Sequence, residues 1–188
     1  MKIKGILLGL TILVSGNLFA QEKLSANTDK TKLEWLGEKV TGQHTGTIML
    51  HSGWINLMDN KINSGEFIID MATLKDSESN QKLEGHLKSD DFFGVVKFPT
   101  AKLTITGSTP FDKGSGTVQA DLTIKGVTNP LEFKAAMKKT DEGVWFFANI
   151  VVDRTKYNVR YGSGSFFDNL GDKTIFDEFK LKVNLLVK

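Results

Sequence analysis

The 188-residue chain predicts an antiparallel all-β domain, a sandwich or a barrel. Three observations carry this. Apolar and polar residues alternate in several separate runs, the period of a strand with one face in a core and the other in water. Those runs are short, evenly spaced and separated by turn-forming residues. The length fits one domain with a sizeable core, and 40% hydrophobic with 24% charged residues is ordinary for a soluble globular protein.

The N-terminus reads first. Lys2 and Lys4 form a positive start, and Ile6 to Val14 is an apolar run broken by Gly9 and Thr11. Leu18-Phe19-Ala20 then ends in a small residue before Gln21. This layout predicts a secretory signal peptide over residues 1–20, cleaved after Ala20. The apolar run is too short to cross roughly 30 Å of hydrocarbon. The expected destination is the periplasm or the medium. Without Lys2 and Lys4 the 24 basic residues become 22, equal to the 22 acidic ones, so the mature chain is formally neutral. Its basic residues are dispersed and give no footprint for nucleic acid. Residues 21–31 are polar and read as a flexible arm. The domain proper is expected over 32–188.

Strands and turns follow. Asp59-Asn60, between Trp54–Met58 and Ile62–Met71, is a hairpin signal. Leu103–Thr106 is separated from Val118–Ile124 by the loop Asp112 to Gly116. In that second run Val118, Ala120, Leu122 and Ile124 share one face. Gly126 to Pro130 and Thr140 to Gly143 read as two more hairpin turns, around a strand with Leu131, Phe133, Ala135 and Met137 on one face. Val144 to Val152 is apolar on both faces, with Phe146 on one and Trp145, Phe147 and Val151 on the other, and reads as a strand covered on both sides. Phe179, Leu181, Val183, Leu185 and Val187 form the last alternating run. Ser79 to Asp91 breaks the pattern: Leu83 and Leu87, four apart among polar residues, predict a short helix laid on the sheet.

The residues for most chemistries are missing. The chain has no cysteine, and His44, His51 and His86 show no metal-ligand spacing, so no metal site is expected. Gly162-Ser163-Gly164-Ser165-Phe166 misses the nucleophile-elbow pattern by one residue and lacks the lysine ending of a phosphate loop. It reads as a bend or bulge at a barrel rim. No catalytic residue and no cofactor are expected. From the residues alone, an apolar barrel is either filled by its own side chains or holds one small ligand.

Three ordered blocks add a resemblance. They are Gly85-His86-Leu87-Lys88-Ser89-Asp90-Asp91-Phe92-Phe93 followed by Lys97-Phe98-Pro99-Thr100, then Asp121 to Pro130 (DLTIKGVTNP), then Asp153-Arg154-Thr155-Lys156-Tyr157-Asn158-Val159. From Lys32 to Lys188 the chain resembles the YceI-like family of lipid- and polyisoprenoid-binding proteins. It departs at Lys156 and Tyr157, where the family's turn often carries an acidic residue and a Phe. The resemblance implies an extended, eight-stranded, lipocalin-like antiparallel barrel with the short helix near its mouth. It also implies a non-catalytic role: binding, sequestration or transport of a long-chain amphiphile such as a polyisoprenoid, an isoprenoid quinone or a fatty-acid-like lipid.

Candidate lining residues are those on apolar strand faces: Trp35, Phe67, Ile69, Leu103, Ile105, Leu122, Ile124, Leu131, Phe133, Phe147, Phe179 and Leu181. Each also reads as ordinary core. Candidate mouth residues are His86, Asp91, Phe92, Phe93, Arg154 and Tyr157. Arg154 would either meet a polar head group or staple the barrel to a carboxylate such as Asp91 or Asp121. The competing reading is a structural or stress-related interaction module with a filled barrel. An isomerase or hydrolase would need a buried polar cluster in the pore. A membrane-spanning protein is not expected, and an exposed strand edge would open the way to a homodimer.

Overall fold

The computed structural model describes residues 22–188; the expected signal peptide and Gln21 lie outside the described residues. In chain order the strands are β1 (Glu22–Ser25), β2 (Lys32–Lys39), β3 (Gly42–Met58), β4 (Lys61–Asp76), β5 (Thr100–Ser108), β6 (Ser115–Ile124), β7 (Val127–Thr140), β8 (Gly143–Asp153) and β9 (Ile175–Val187). A single α-helix among the described residues, α1 (Gln81–Lys88), lies between β4 and β5. Successive strands from β2 to β9 pair antiparallel, and β2 also pairs with β9, so the sheet closes on itself as an eight-stave barrel. The expected barrel is thus the observed one, and the sandwich is ruled out.

The closing stave is made in two pieces. β2 pairs with the first half of β3, from Leu33 opposite Ile48 to Lys39 opposite Gly42. β1 pairs with the far end of β3, from Glu22 opposite Leu57 to Ser25 opposite Trp54. Ala26 bridges to Val187 of β9, and Ser25 and Lys188 exchange backbone hydrogen bonds of 2.8 and 2.9 Å. The turn between the pieces is held by Asn27, whose Oδ1 accepts from Lys30 N and whose carbonyl accepts from Thr31 N. This corrects the expectation of a flexible arm: residues 22–25 are a paired strand, with Leu24 in the core. The signal was hidden because β1 is short and carries one inward apolar residue.

Turn chemistry sets the register where the chain reverses. Asp59 and Asn60 both take positive φ, 50° and 57°, the twist that a two-residue hairpin needs. Lys125 and Gly126 do the same at 51° and 75°. That second turn is tighter than expected, so Val127 to Pro130 already belong to β7. The expected helix is shorter than 79–91. Asn80 caps it, accepting from Leu83 N at 3.1 Å, and Leu87 is its buried apolar contact. Glu84 ties α1 to the barrel, accepting from Asp76 N at 3.0 Å and Lys75 Nζ at 3.3 Å.

Alternation fills the interior as predicted for β6, where Val118, Ala120, Leu122 and Ile124 are all buried. β8 differs from expectation. Phe146, Ile150 and Val152 face inward and are buried, whereas Phe147 and Val151 are 40% and 47% exposed on the outer wall. The strand is covered on one side only, and Phe147 stacks on Trp145 at 6.0 Å between ring centroids.

Gly46 in β3 shows how tightly the wall is fitted. Trp35 lies across it and donates from Nε1 to the Lys75 carbonyl of β4 at 3.1 Å. A Cβ at Gly46 would meet that carbonyl oxygen and sit 2.5 Å from the Trp35 ring. Gly46→Ala is expected to cost about 1–3 kcal/mol or more, read as a fall in Tm of several degrees by calorimetry. A second expectation concerns acid. The backbone N–H of Asp76 holds the Glu84 carboxyl below its ordinary value of 4.5; burial works against this, and Lys75 and Lys88 reinforce it. Its contribution is therefore present above the unfolded pKa and lost as pH falls through the lower folded value. Urea midpoints measured from about pH 5 to pH 3 should fall less steeply for Glu84→Gln than for the wild type.

Candidate functional site

Strand parity decides what the interior contains. Two apolar chambers lie in series along the barrel axis. The first, at the end closed by α1, is lined by Trp35, Ile48, Met71, Leu74, Leu87, Phe92, Phe93, Ile124 and Phe179, among others. The second is lined by Leu33, Leu50, Ile55, Phe67, Leu103, Ile105, Leu131, Phe133 and Phe146, among others. Ile69, Leu122, Val152 and Leu181 border both. The first has a volume of about 140 Å³ and the second about 100 Å³. Each exceeds the roughly 10–15 Å³ that one water needs. The inward side chains leave room in the middle of the barrel.

Charge is confined to one end. Glu38, Arg154 and Glu178 border the first chamber, and Thr31 is the polar residue at the second. A dry chamber without polar partners holds an apolar group and rejects a charged one, because an unpaired charge there loses its hydration.

Eleven of the twelve candidate lining residues border these chambers. Trp35, Ile124 and Phe179 fall in the first, Phe67, Leu103, Ile105, Leu131 and Phe133 in the second, and Ile69, Leu122 and Leu181 between them. Phe147 does not: it stands on the outer face, and its neighbour Phe146 takes the inward place. Both faces of β8 carry aromatics, so hydropathy gives no parity there. The pairing of Ala148 with Ala135 and Val183 fixes it instead. Val152, Met71 and Leu74 are lining residues the sequence reading omitted.

The mouth candidates divide. Phe92 and Phe93 line the first chamber, packed edge to face with centroids 5.1 Å apart. His86 sits behind them, 5.8 Å from Phe92 and 4.4 Å from Tyr161, and lines neither chamber. Asp91 is exposed and Tyr157 is buried away from the cavity. Burial pushes the Tyr157 hydroxyl up, helped by the charge of Asp153.

Arg154 borders the chamber, and three of its five N–H donors are committed to backbone carbonyls. It is buried, and gives Nη1–H to Val159 O at 2.7 Å, Nε–H to Phe176 O at 3.0 Å and Nη2–H to Ile175 O at 3.0 Å. Its carboxylate partner is Asp177 at 3.7 Å, which corrects the expected Asp91 or Asp121. One side of the guanidinium faces the Phe92 ring, 5.5 Å from its centroid. Burial pulls the Arg154 pKa down, while Asp177 and Asp153 push it back up. Burial also raises Asp177, but the hydroxyls of Ser163 and Ser165 and the charge of Arg154 outweigh it and leave that carboxyl below its ordinary range. Arg154 thus clasps the segment between β8 and β9 to the barrel end. The Gly162–Phe166 run forms the rim turn held there, with Ser163 bridged to Ile175.

Among the described residues, no group of His, Asp and Glu could hold a metal ion, and no helix is long and apolar enough to cross a membrane.

Comparison with known proteins agrees with this geometry. A UPF0312 protein of Pseudomonas putida is 26% identical over 145 residues, covering 73% of each chain. One from Shewanella denitrificans is 32% identical over 87 residues, 45% of this chain and 44% of that protein's length. Burkholderia cenocepacia BcnA superposes with a TM-score of 0.72 at 20% identity, over 87% of this chain and 99% of that one. A polyisoprenoid binding domain from Saccharophagus degradans, implicated in plant cell wall breakdown, superposes with a TM-score of 0.65 at 15% identity, over 88% and 97%. These likenesses are to the fold. The profile of the YceI-like domain matches residues 24–187, from the first inward residue of β1 to the end of β9, and the chain belongs to the YceI-like domain family.

Proposed function

We propose that the protein is a non-catalytic carrier that sequesters or transports a long-chain amphiphile, its tail in the barrel. The observation that carries this reading is the pair of serial apolar chambers, with charged groups at one end only. A polyisoprenoid, an isoprenoid quinone or a fatty-acid-like lipid has the matching form: a slender apolar chain with one polar end. The relative from Saccharophagus degradans, described as a polyisoprenoid binding domain, supports the class. Removing the tail from water supplies about 25 cal/mol per Å², less the cost of ordering the chain. Binding needs no bond to be made or broken, so no catalytic group enters. Arg154 is assigned to holding the rim, where three of its donors meet carbonyls and its charge faces Asp177. Export by the expected signal peptide would put the carrier in the periplasm or the medium.

A second reading, an interaction module, draws on the outer face of β8, where Phe147 and Val151 stand exposed beside Trp145. Two experiments separate the readings. Native mass spectrometry of residues 21–188, before and after organic extraction, should show a discrete adduct that extraction removes. A clean unliganded mass, with no uptake of added quinone, polyprenyl or fatty-acid ligands, would turn the assignment to the interaction module. Filling the junction with Ile69→Trp should weaken uptake of a fluorescent fatty acid by at least about tenfold, ~1.4 kcal/mol. Phe147→Ala, on the outer wall, should leave that uptake unchanged.

A further inference from the structure

We propose that the seam between β7 and β8 is a side port, through which the apolar tail of the amphiphile passes between the second chamber and the outside. The proposal rests on the carrier reading.

Closed barrels pair neighbouring staves along their shared length, and β7 and β8 do not. Their ladder runs from Thr140 opposite Gly143 only to Ala135 opposite Ala148. Beyond that point both strands run on. Val127 to Lys134 pair with β6 alone, and Asn149 to Asp153 pair with β9 alone. A shorter gap between the starts of β4 and the end of β5 is bridged by Ser108, whose Oγ accepts from Ile62 N at 2.9 Å. Among the described residues, no such hydrogen bond joins Pro130–Lys134 to Asn149–Val152.

The seam is a bounded slot. The Ala135–Ala148 pair closes one end, and Asn129 Nδ2, donating to Lys156 O at 2.9 Å, closes the other. Five residues of β8 span about 17 Å at the usual strand rise. Leu131 and Phe133 on one lip and Ala148, Ile150 and Val152 on the other all line the second chamber. The slot therefore borders the second chamber, with the buried Ile150 and Val152 as its floor.

Its chemistry fits a slender chain. Pro130, within the unpaired stretch, has no N–H to leave unsatisfied. Other backbone groups facing the gap lack strand partners and need water or a ligand atom. The lips are polar at the backbone and the depth is apolar. A flexible apolar tail passes between such lips.

The chain has no cysteine, so introduced thiols are unique. Glu132→Cys and Val151→Cys place one thiol on each outer lip, at exposed positions. A short bis-thiosulfonate reagent ties them, and reductant releases them. The probe is a conjugated polyene fatty acid that fluoresces when its chain leaves water, and the readout is its loading rate in stopped flow. Bridging should slow loading by at least about tenfold, and reduction should restore it. If the double variant does not fold, Lys134→Cys with Asn149→Cys places the bridge one step nearer the ladder. A bridge between Val40→Cys and Thr174→Cys, neither of which lines a chamber, ties the end of β2 to the start of β9 at the α1 end instead and should not slow loading. Equal rates for the slot-bridged and reduced protein, or slowing by the end bridge alone, would overturn the port. Failure of the wild type to load any probe would instead remove the carrier reading, and the port with it.

Discussion

The pairing of β2 with β9 is the constraint on which everything else rests. Without it the sheet would be open, with two unpaired edges and no inside. Once the ring closes, strand alternation has one outcome only: every second side chain points into an enclosed space. The ring is completed in two pieces, β1 and β2, on either side of the turn at Asn27. The N-terminal residues therefore belong to the wall. The same constraint explains the fitting at Gly46, where Trp35 crosses β3 to reach β4.

A closed wall still needs its end held. Arg154 does this with three carbonyl contacts and Asp177 beneath them. A buried guanidinium is costly unless its donors are met, and here the strand-linking segment supplies acceptors in the required fork. The arrangement holds a charge at the chamber's edge with most of its donors turned to the rim. Phe92, over the guanidinium, finishes the apolar lining.

Much of this was legible in the sequence, and the failures have physical causes. β6 alternates cleanly, and so does β9 as far as Val183, so their inward residues follow from periodicity. The turns at Asp59-Asn60 and Lys125-Gly126 announce themselves because few residue types accept two consecutive positive φ angles. Parity of β8 was not legible, because aromatic residues occupy both faces and only cross-strand register distinguishes Phe146 from Phe147. β1 was missed because four residues with one inward Leu24 carry too little pattern. The partner of Arg154 lies twenty-odd residues onward across the rim segment, a contact set by closure rather than spacing. Nor does any sequence signal report that β7 and β8 part company beyond the Ala135–Ala148 pair, since β7 keeps its alternation there and β8 is apolar on both faces.

The junction formed by Ile69, Leu122, Val152 and Leu181 has a consequence for selectivity. In the proposed carrier, two spaces that share these four side chains would measure a chain by its length. A tail too short to pass them gains the burial of one space, and each added carbon beyond its wall gains little until they are passed. A tail that crosses gains the second. In the proposed carrier, affinity would rise with chain length as a staircase, the step falling at these four side chains and its height set by the area buried in the second space.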